Sequence, residues 1–459
     1  MSSLSALMFL ARDGMLAQSG ALDIAGQNVT NANTPGYVRR SAVLEARALT
    51  PGAVGGIDFS GIRRHYDKFA EMRIMGETGM LAAAKSRAGG LSGLEGWLTP
   101  PEGGVGDSMN ALFSAATELA TNASDPTARS AFLAKAEQVA LSFRAAGNAL
   151  SQRRSDLAGQ AGEVAGELNK NLTAIGDLNK KIAEAQALGQ PAADLRDKRD
   201  LLVKQVGDAI GATAFEEPNG MVALMAGGTT LVQGDQVNQV AVSMGASNTL
   251  KFEVQKPSGA KIDITQRVDS GKLGGIREAR DTDLVALQGS LDQLAYDFAE
   301  KANTVHASGF GLDGVSGRPL FAPPAGVAGA ASALVVDPGV AGQPDKVAAS
   351  GSASSVPAGN DIALAFADIA SQTLGAGGTP AERFGSFAGG LGNAQVSAES
   401  AIGLREGTLS MAETMREQAS GVSIEEEMVD LSRYQRAFEA TMRVLKVADE
   451  LLEGLIREV

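Results

Sequence analysis

The feature that most constrains this chain is an amphipathic pattern, free of proline, that runs for roughly sixty residues after Pro126. Its apolar residues recur at helical spacing. They are Phe132, Ala136, Val139, Phe143, Ala146, Leu150, Leu157, Val164, Leu168, Leu172, Ile175, Leu178 and Ile182. At about 1.5 Å per residue such a helix is about 90 Å long, far longer than an average globular helix. The pattern therefore predicts a helical rod. The rod ends at a turn at 189–191, and a shorter helix over 193–207 comes after it.

The sequence opens with a predicted helix that carries only three charged residues, Arg12, Asp13 and Asp23. Its residues step by fours and threes, which is the spacing of a coiled-coil seam, and all but one are apolar. The seam consists of Leu4, Met8, Ala11, Met15, Gln18, Leu22, Ala25 and Val29. A second apolar row lies beside it, so the apolar face is wider than one partner helix covers. That row is Leu7, Leu10, Ala17, Ala21 and Ile24.

The last helix predicted from the sequence has the same four-three stepping, with two polar exceptions. Its seam is Ile424, Met428, Leu431, Gln435, Phe438, Met442, Leu445, Asp449, Leu452, Ile456 and Val459. Ser423 followed by Glu426 is a capping box that begins this helix. The matched seams predict that the first and last helices pair as a coiled coil, parallel or antiparallel, and leave an apolar row for other subunits. The alternative is that each helix packs on its own domain.

Two further segments differ from the helical pattern. Residues 208–274 alternate between polar and apolar positions in short stretches divided by PNG, GG and PSG, which predicts a small inserted β-domain. Residues 311–395 are rich in Gly, Ala, Pro and Ser, and we expect loops, a few strands and one or two short helices there. The fold class predicted is an elongated, mainly α multidomain protein with this inserted β-domain.

The acidic composition argues against nucleic acid as a partner. The chain has 40 Lys plus Arg against 53 Asp plus Glu and a formal net charge of -13, and phosphate binding needs a concentrated basic face. No stretch reaches the roughly 18 apolar residues of a membrane span, so membrane insertion is not expected. The absence of cysteine excludes disulfides and thiolate chemistry. The start of the sequence lacks a basic leading region, and we expect its first helix to be retained on export.

The sequence contains no motif for catalysis, and we expect neither an enzyme nor a cofactor or metal site. Its two histidines, His65 and His306, stand far apart and without the spacing of metal ligands. His306 follows a predicted helix and is expected to cap it or to pack against it. No phosphate-binding loop is present.

The first helix is predicted to end in a tight turn. Asn31 and Asn33 can adopt the left-handed conformation that ends helices, and Thr34 precedes a proline and is therefore extended. Pro35 and Gly36 suit the two central positions of a type II turn. From Tyr37 the chain is expected to leave as an extended segment.

The charge-poor helix and this turn together resemble the bacterial flagellar axial proteins, whose rod, hook and hook-associated members begin with a helix that ends in an ANxxTPGY-like turn. The matching residues are Asn31, Asn33, Thr34, Pro35, Gly36 and Tyr37. The last helix is similar to the closing helix of the same family. Four internal segments are similar to its hook-associated members: DPTARSAFLAKAEQVALSF, DLRDKRDLLV, SGKLGGI and NTVHASGF.

The resemblance implies a structural adaptor at the hook–filament junction, outside the cell, that assembles with copies of itself into a helical tube layer. It also implies export through the flagellar type III apparatus, contacts with hook protein and with a second junction protein or flagellin, and a cytoplasmic chaperone on the last helix. The alternatives are a hook or rod component, or a secreted enzyme or adhesin that uses axial export signals.

The sequence divides into four predicted domains. The first and last segments, 1–40 and 421–459, form the coiled-coil assembly domain. The helical rod domain combines 41–207, 275–310 and 396–420, the β-domain is 208–274, and a reduced outer segment is 311–395.

Overall fold

The computed structural model describes residues 2–34, 37–46, 56–98, 103–190, 192–375 and 377–457. The chain is elongated and 66% helical, with small antiparallel sheets inserted between the helices, which confirms the predicted fold class. The described helices are α1 (Ser2–Asn31), α2 (Lys68–Leu91), α3 (Glu95–Leu98), α4 (Val105–Thr121), α5 (Pro126–Ala187), α6 (Ala193–Ile210), α7 (Gly271–Glu278), α8 (Leu284–Ala307), α9 (Ala330–Ala333), α10 (Asp361–Ala367), α11 (Pro380–Ser420) and α12 (Ile424–Arg457).

Helix α5 is the predicted rod. It is 62 residues long, begins where the Asp125 carboxylate accepts a hydrogen bond from the Thr127 backbone N–H, and has Pro126 in its first turn. One face is buried along its whole length against α4, α6, α8 and the sheets. The helix ends at Ala187, next to the turn that the sequence indicated.

The strands of the described residues form three antiparallel sheets. They are β1 (Arg40–Ala46), β2 (Ile57–Arg64), β3 (Thr213–Glu216), β4 (Val222–Ala226), β5 (Thr229–Gln233), β6 (Gln236–Val237), β7 (Gln239–Met244), β8 (Leu250–Gln255) and β9 (Lys261–Asp263). Strands β3–β6 and β7–β9 make up the inserted β region that the alternating pattern predicted. Strands β1 and β2 pair into a separate ribbon in a segment that the sequence placed at the start of the helical rod domain.

Three helix asparagines hold neighbouring extended segments in place. Each amide donates to the backbone carbonyl of one residue and accepts from the N–H of the same residue, at 2.8–3.0 Å. The amide thus replaces a strand partner for a backbone pair that would otherwise be unsatisfied. The pairs are Asn169 with Val240, Asn179 with Val222 and Asn303 with Phe321.

We call residues 68–420 the body of the molecule. In the part of the body that the structure describes, the buried apolar residues form a single core. Its buried residues extend from Met75 to Ala398, with Phe298 in contact with three other aromatic rings at its centre. Apolar residues of the Gly- and Ala-rich segment, such as Phe321 and Phe366, lie in this same core. Helix α11 begins at Pro380, within that segment, and packs along α2.

Candidate assembly interface

Helices α1 and α12 pack against each other as an antiparallel pair, which we call the terminal pair. Asn28 of α1 bonds to Glu427 at the start of α12, whereas Gly14 faces Thr441, about four turns further along the partner helix. A Cβ on Gly14 would lie 3.2 Å from the Thr441 methyl carbon, so the backbones approach closely there. The pairing that the two seams predicted is present, and its direction is antiparallel.

The closest face of α1 is built from small residues. Ala11, Gly14, Ala17, Ala21 and Ala25 are buried. The larger residues of the predicted seam lie beside this face and are half-buried. They are Leu4, Met8, Met15, Leu22 and Val29.

The predicted residues of α12 fall into two groups. Those that face α1 are half-buried: Leu431, Phe438, Leu445 and Leu452. Met428 is 53% exposed and Met442 is 49% exposed, so about half of each residue is left uncovered. Ile456 belongs to α12, but its side chain is outside the described residues.

Apolar residues of α12 also form two exposed strips, one on either side of the face that contacts α1. At about 100° per residue, Met428 and Met442 fall on one flank, and Val444, Val447 and Leu451 on the other. These side chains are between 40% and 54% exposed. The back of the helix is polar. The terminal pair therefore presents apolar surface that a single copy of the chain leaves uncovered.

Asn28, which is 1% exposed, connects the terminal pair to the chain that follows α1. Its Nδ2 donates to the Arg40 carbonyl at 2.7 Å and to Glu427 Oε2 at 2.9 Å. Its Oδ1 accepts from the Arg40 N–H at 3.0 Å and from the Tyr37 hydroxyl at 2.8 Å. The amide therefore has all four of its hydrogen bonds, and it clamps Arg40 as the three asparagines of the body clamp their partners.

Two consecutive arginines reach in opposite directions from this point, as alternating positions of an extended segment do. Arg39 Nε donates to Glu427 Oε1 at 2.8 Å. Arg40 pairs with Asp194 at 2.9 Å and also with Asp197, both on α6. Burial lowers the pKa of Arg40, but its hydrogen bonds to the two aspartates outweigh burial and raise that pKa above its ordinary value. The β1 segment is thus tied to α12 on one side and to the body on the other.

Arg64 of β2 completes the contact with α6. It pairs with Asp197 at 2.6 Å and with Asp200 at 2.8 Å. The aspartates stand three residues apart on α6 and therefore share one face of that helix. Burial raises the pKa of the neighbouring Tyr66, whose ring lies under the Arg64 guanidinium.

The predicted turn is present in part. The Tyr37 N–H donates to the Thr34 carbonyl at 3.1 Å, the hydrogen bond that closes a four-residue turn. Pro35 and Gly36 lie outside the described residues. Asn31 and Asn33 do not adopt the left-handed conformation that the sequence allows them, since Asn248 is the one non-glycine with positive φ in the described chain. The Asn31 amide instead donates to the Gln27 carbonyl at 2.9 Å, within the helix end.

Sequence reasoning missed Asn28, Glu427 and the aspartates of α6. Asn28 stands three residues after Ala25 in an otherwise apolar row, and Glu427 stands four residues before Leu431. A polar residue that continues an apolar seam is the signal that could have found both, because such a residue is buried and needs a partner. The aspartates carry no comparable signal, since surface acids on a helix are common.

Both histidines lie within hydrogen-bond distance of protein groups. His306 is 1% exposed in the last turn of α8; its Nδ1 donates to the Arg318 carbonyl at 2.7 Å, and its Nε2 accepts from the Ala348 N–H at 3.0 Å. Burial lowers the pKa of His306. His65 Nε2 lies 3.0 Å from the Ser41 hydroxyl. Among the described residues, no three His, Asp or Glu side chains are grouped as metal ligands. No helix in the described chain has the length and apolarity needed to cross a membrane.

Two parts of the chain match known protein families. Residues 91–321 match the flagellar hook-associated protein FlgK helical domain. Residues 416–458 match the flagellar basal body rod FlgEFG protein C-terminal family. The first match covers half of the chain, including α4, α5 and α8, and the second covers α12.

Individual relatives carry the same description. Flagellar hook-associated protein 1 of Salmonella typhimurium is 30% identical over 69% of this chain, and the match covers 59% of the relative. Flagellar hook-associated protein 1 of Bacillus subtilis is 26% identical over 97% of this chain and 96% of the relative. This chain thus spans about three fifths of the length of the Salmonella relative that it matches.

A solved structure agrees with these matches. The flagellar hook junction protein FlgK from Burkholderia pseudomallei aligns with a TM-score of 0.50 at 26% identity, over 54% of this chain and 46% of that chain. The match to the FlgK helical domain spans the rod helix α5 and ends within the Gly- and Ala-rich segment, at residue 321. The chain belongs to the FlgK family of flagellar hook-associated proteins.

Proposed function

We propose that this protein is a structural subunit of the bacterial flagellum, placed at the junction between hook and filament, and not an enzyme. It joins copies of itself head to tail through the terminal pair, in a repeating contact that does not close as a dimer would. The relatives are named as hook-associated and hook junction proteins, which supports this position.

The observation that carries the proposal is the apolar surface on the terminal pair. Val429 is 69% exposed and Val447 is 53% exposed on α12, and Leu16 is 60% exposed on α1. A lone chain leaves this surface in water, at a cost of about 25 cal/mol per Å² of apolar area. Neighbouring copies that pack beside the pair remove that cost, so assembly is favoured.

The remaining partners are proposed from the family to which the chain belongs. We place hook protein at one end of the assembled layer, and a second junction protein or flagellin at the other. A cytoplasmic chaperone covers α12 before type III export, because its exposed apolar strips would otherwise aggregate. The protein then acts outside the cell as part of the flagellum.

The test places a carboxylate on the exposed strips. Met442→Asp and Val447→Asp are expected to leave the body folded, since neither residue belongs to its core, and to prevent assembly because each adds a charge that must be desolvated at a copy–copy contact. Ser432→Asp, on the polar back of α12, is the matched control. Helical content is measured by circular dichroism, and assembly by electron microscopy of filaments on complemented cells.

Leu431→Asp and Phe438→Asp form a second arm, since these side chains face α1 and their replacement opens the terminal pair itself. All four variants are expected to shed filaments into the medium. Firm filaments on cells that make Met442→Asp and Val447→Asp at normal levels would show that the strips are not the copy–copy contact.

A further inference from the structure

The terminal pair and the ribbon meet the body through a contact of unusual character. No described residue of α1, α12 or the ribbon belongs to the apolar core of the body. The ribbon packs on α1, where the Phe59 ring lies against Gly20, and reaches α6 through the ion pairs of Arg40 and Arg64. We call this contact between ribbon and α6 the joint.

Open space flanks the joint on both sides. A polar cleft of about 680 Å³ separates the turn after α1 from α2, α6 and the end of α11; Arg39, His65 and Lys204 are among its lining residues. A second cleft of about 630 Å³ lies between β2 and the turn that joins α5 to α6. Neither cleft is filled by packed side chains. The ion pairs of Arg40 and Arg64 therefore hold the ribbon in its orientation relative to the body.

A continuous line of contacts leads from α12 into the joint. Glu427, 3% exposed, holds the Asn28 amide with one carboxylate oxygen and Arg39 with the other. The Asn28 amide in turn holds both backbone groups of Arg40. The Arg40 side chain then binds Asp194 and Asp197.

We propose that α12 is a latch on the joint: docking of Glu427 onto Asn28 and Arg39 holds the ribbon where Arg40 and Arg64 meet the aspartates of α6, and withdrawal of α12 loosens the ribbon from the body. The pair and the joint then form and open together. A partner that takes α12 away would free the orientation of α1 and the ribbon as well.

The coupling has a direct physical cause. Asn28 has two amide hydrogens; Glu427 takes one, and the other is left to point at the Arg40 carbonyl. Without Glu427 one hydrogen of the buried Asn28 amide has no acceptor, so the clamped arrangement is less favourable and the clamp on Arg40 weakens. The ion pairs of the joint are largely buried, since Arg40 is 6% exposed and Asp197 is 15% exposed. A buried ion pair offsets the cost of desolvating its charges only where its geometry is held in place. The joint therefore depends on the preorganised backbone that Glu427 supports.

The test uses hydrogen exchange of the full-length chain, followed by mass spectrometry of the β2 peptide. Glu427→Ala is expected to raise the exchange rate of β2 about tenfold, although Glu427 does not contact that strand. Glu439→Ala, an exposed acid on the same helix, is the matched control and is expected to leave β2 unchanged. Leu445→Asp opens the terminal pair at its other end and is expected to act as Glu427→Ala does.

A double variant tests the coupling itself. Asp197→Asn is expected to raise the exchange rate of β2 in the wild-type chain. In a chain that already carries Glu427→Ala, the same substitution is expected to raise that rate by less than half as much. If the exchange rate of β2 in the double variant rises by the product of the two single increases, latch and joint are independent and the proposal is overturned. Equal exchange in Glu427→Ala and Glu439→Ala, or a wild-type β2 that exchanges as fast as an unfolded peptide, would overturn it as well.

Discussion

At the scale of single residues, this molecule is held together by buried polar side chains that bind backbone. Asn28, Asn179 and Asn303 each clamp a residue of a neighbouring segment. Arg129, 1% exposed, donates to the Ala123 carbonyl at 2.7 Å and to the Val347 carbonyl at 2.5 Å, and burial lowers its pKa. Each side chain satisfies backbone carbonyls that would otherwise be buried without a partner. Two of these carbonyls, those of Phe321 and Val347, belong to the Gly- and Ala-rich segment.

His306 makes the stability of the body sensitive to pH. Its pKa is lower in the folded chain than the ordinary value of 6.5, because the ring is buried. The unfolded chain therefore takes up a proton at a higher pH than the folded chain does, and stability is lost as pH falls below 6.5. We expect the free energy of unfolding to fall by at most about 1.4 kcal/mol per pH unit from this group. Urea unfolding between pH 7.5 and 5 measures it.

The variant His306→Gln keeps a donor and an acceptor but does not titrate. It is expected to be less stable than wild type at pH 7.5 and to have a flatter pH dependence between pH 6.5 and 5. The pKa of Asp263 and Asp313 is lowered by hydrogen bonds, so these carboxyls titrate well below that window. An unchanged slope in His306→Gln would assign the pH dependence to other groups.

At the scale of elements, close helix packing depends on glycine at a few positions. Helix α7 lies against α2, and a Cβ on Gly275 would stand 2.0 Å from the Ala83 carbonyl oxygen. Gly275 belongs to the SGKLGGI segment, which is similar to hook-associated proteins. The close approach of α2 and α7 explains why this segment has glycine there. Gly289, by contrast, is exposed in the second turn of α8, with open space around it.

Alanine at these two glycines is expected to have opposite effects. Gly275→Ala forces α2 and α7 apart and should destabilise the body by about 3 kcal/mol. Gly289→Ala meets nothing and should stabilise α8 by about 1 kcal/mol, because alanine is the better helix former. The midpoint of urea unfolding measures both. A Gly275→Ala chain that unfolds at the wild-type midpoint would mean that the α2–α7 contact is looser than described.

At the scale of the whole molecule, the body and the terminal pair differ in stability. The body is held by a continuous apolar core, whereas the terminal pair adds its own smaller set of buried residues, such as Ala21 and Ala448. Opening of the pair therefore leaves the core intact and requires less free energy than global unfolding.

Limited proteolysis of the purified chain measures this difference. We expect both ends to be trimmed much faster than the body, to limits near residues 65 and 421, where the chain enters and leaves the joint. Assembled protein is expected to resist trimming, because neighbouring copies cover the pair. Cleavage of the body at the same rate as the ends would contradict the division into core and pair.

The sequence by itself determined the elements that repeat locally. The rod helix, the strands of the β insertion and the apolar seams of α1 and α12 were predicted, because each depends on periodicity within a short stretch of chain. The sequence also indicated that the terminal helices pair. It could not indicate the ribbon, since every residue of β2 is exposed or half-buried and the strand has no buried face to mark it.

The tertiary structure decided which face each helix uses and which polar residues meet. On α1 the small residues face α12 and the large Leu and Met residues flank them, because the closest approach of two backbones is set by the smallest side chains. Asn28 and Glu427 are 399 positions apart, and local periodicity cannot relate residues at that separation. Their contact, and the ion pairs of Arg40 with α6, exist because folding brings three distant segments to one buried point where each polar group needs a partner.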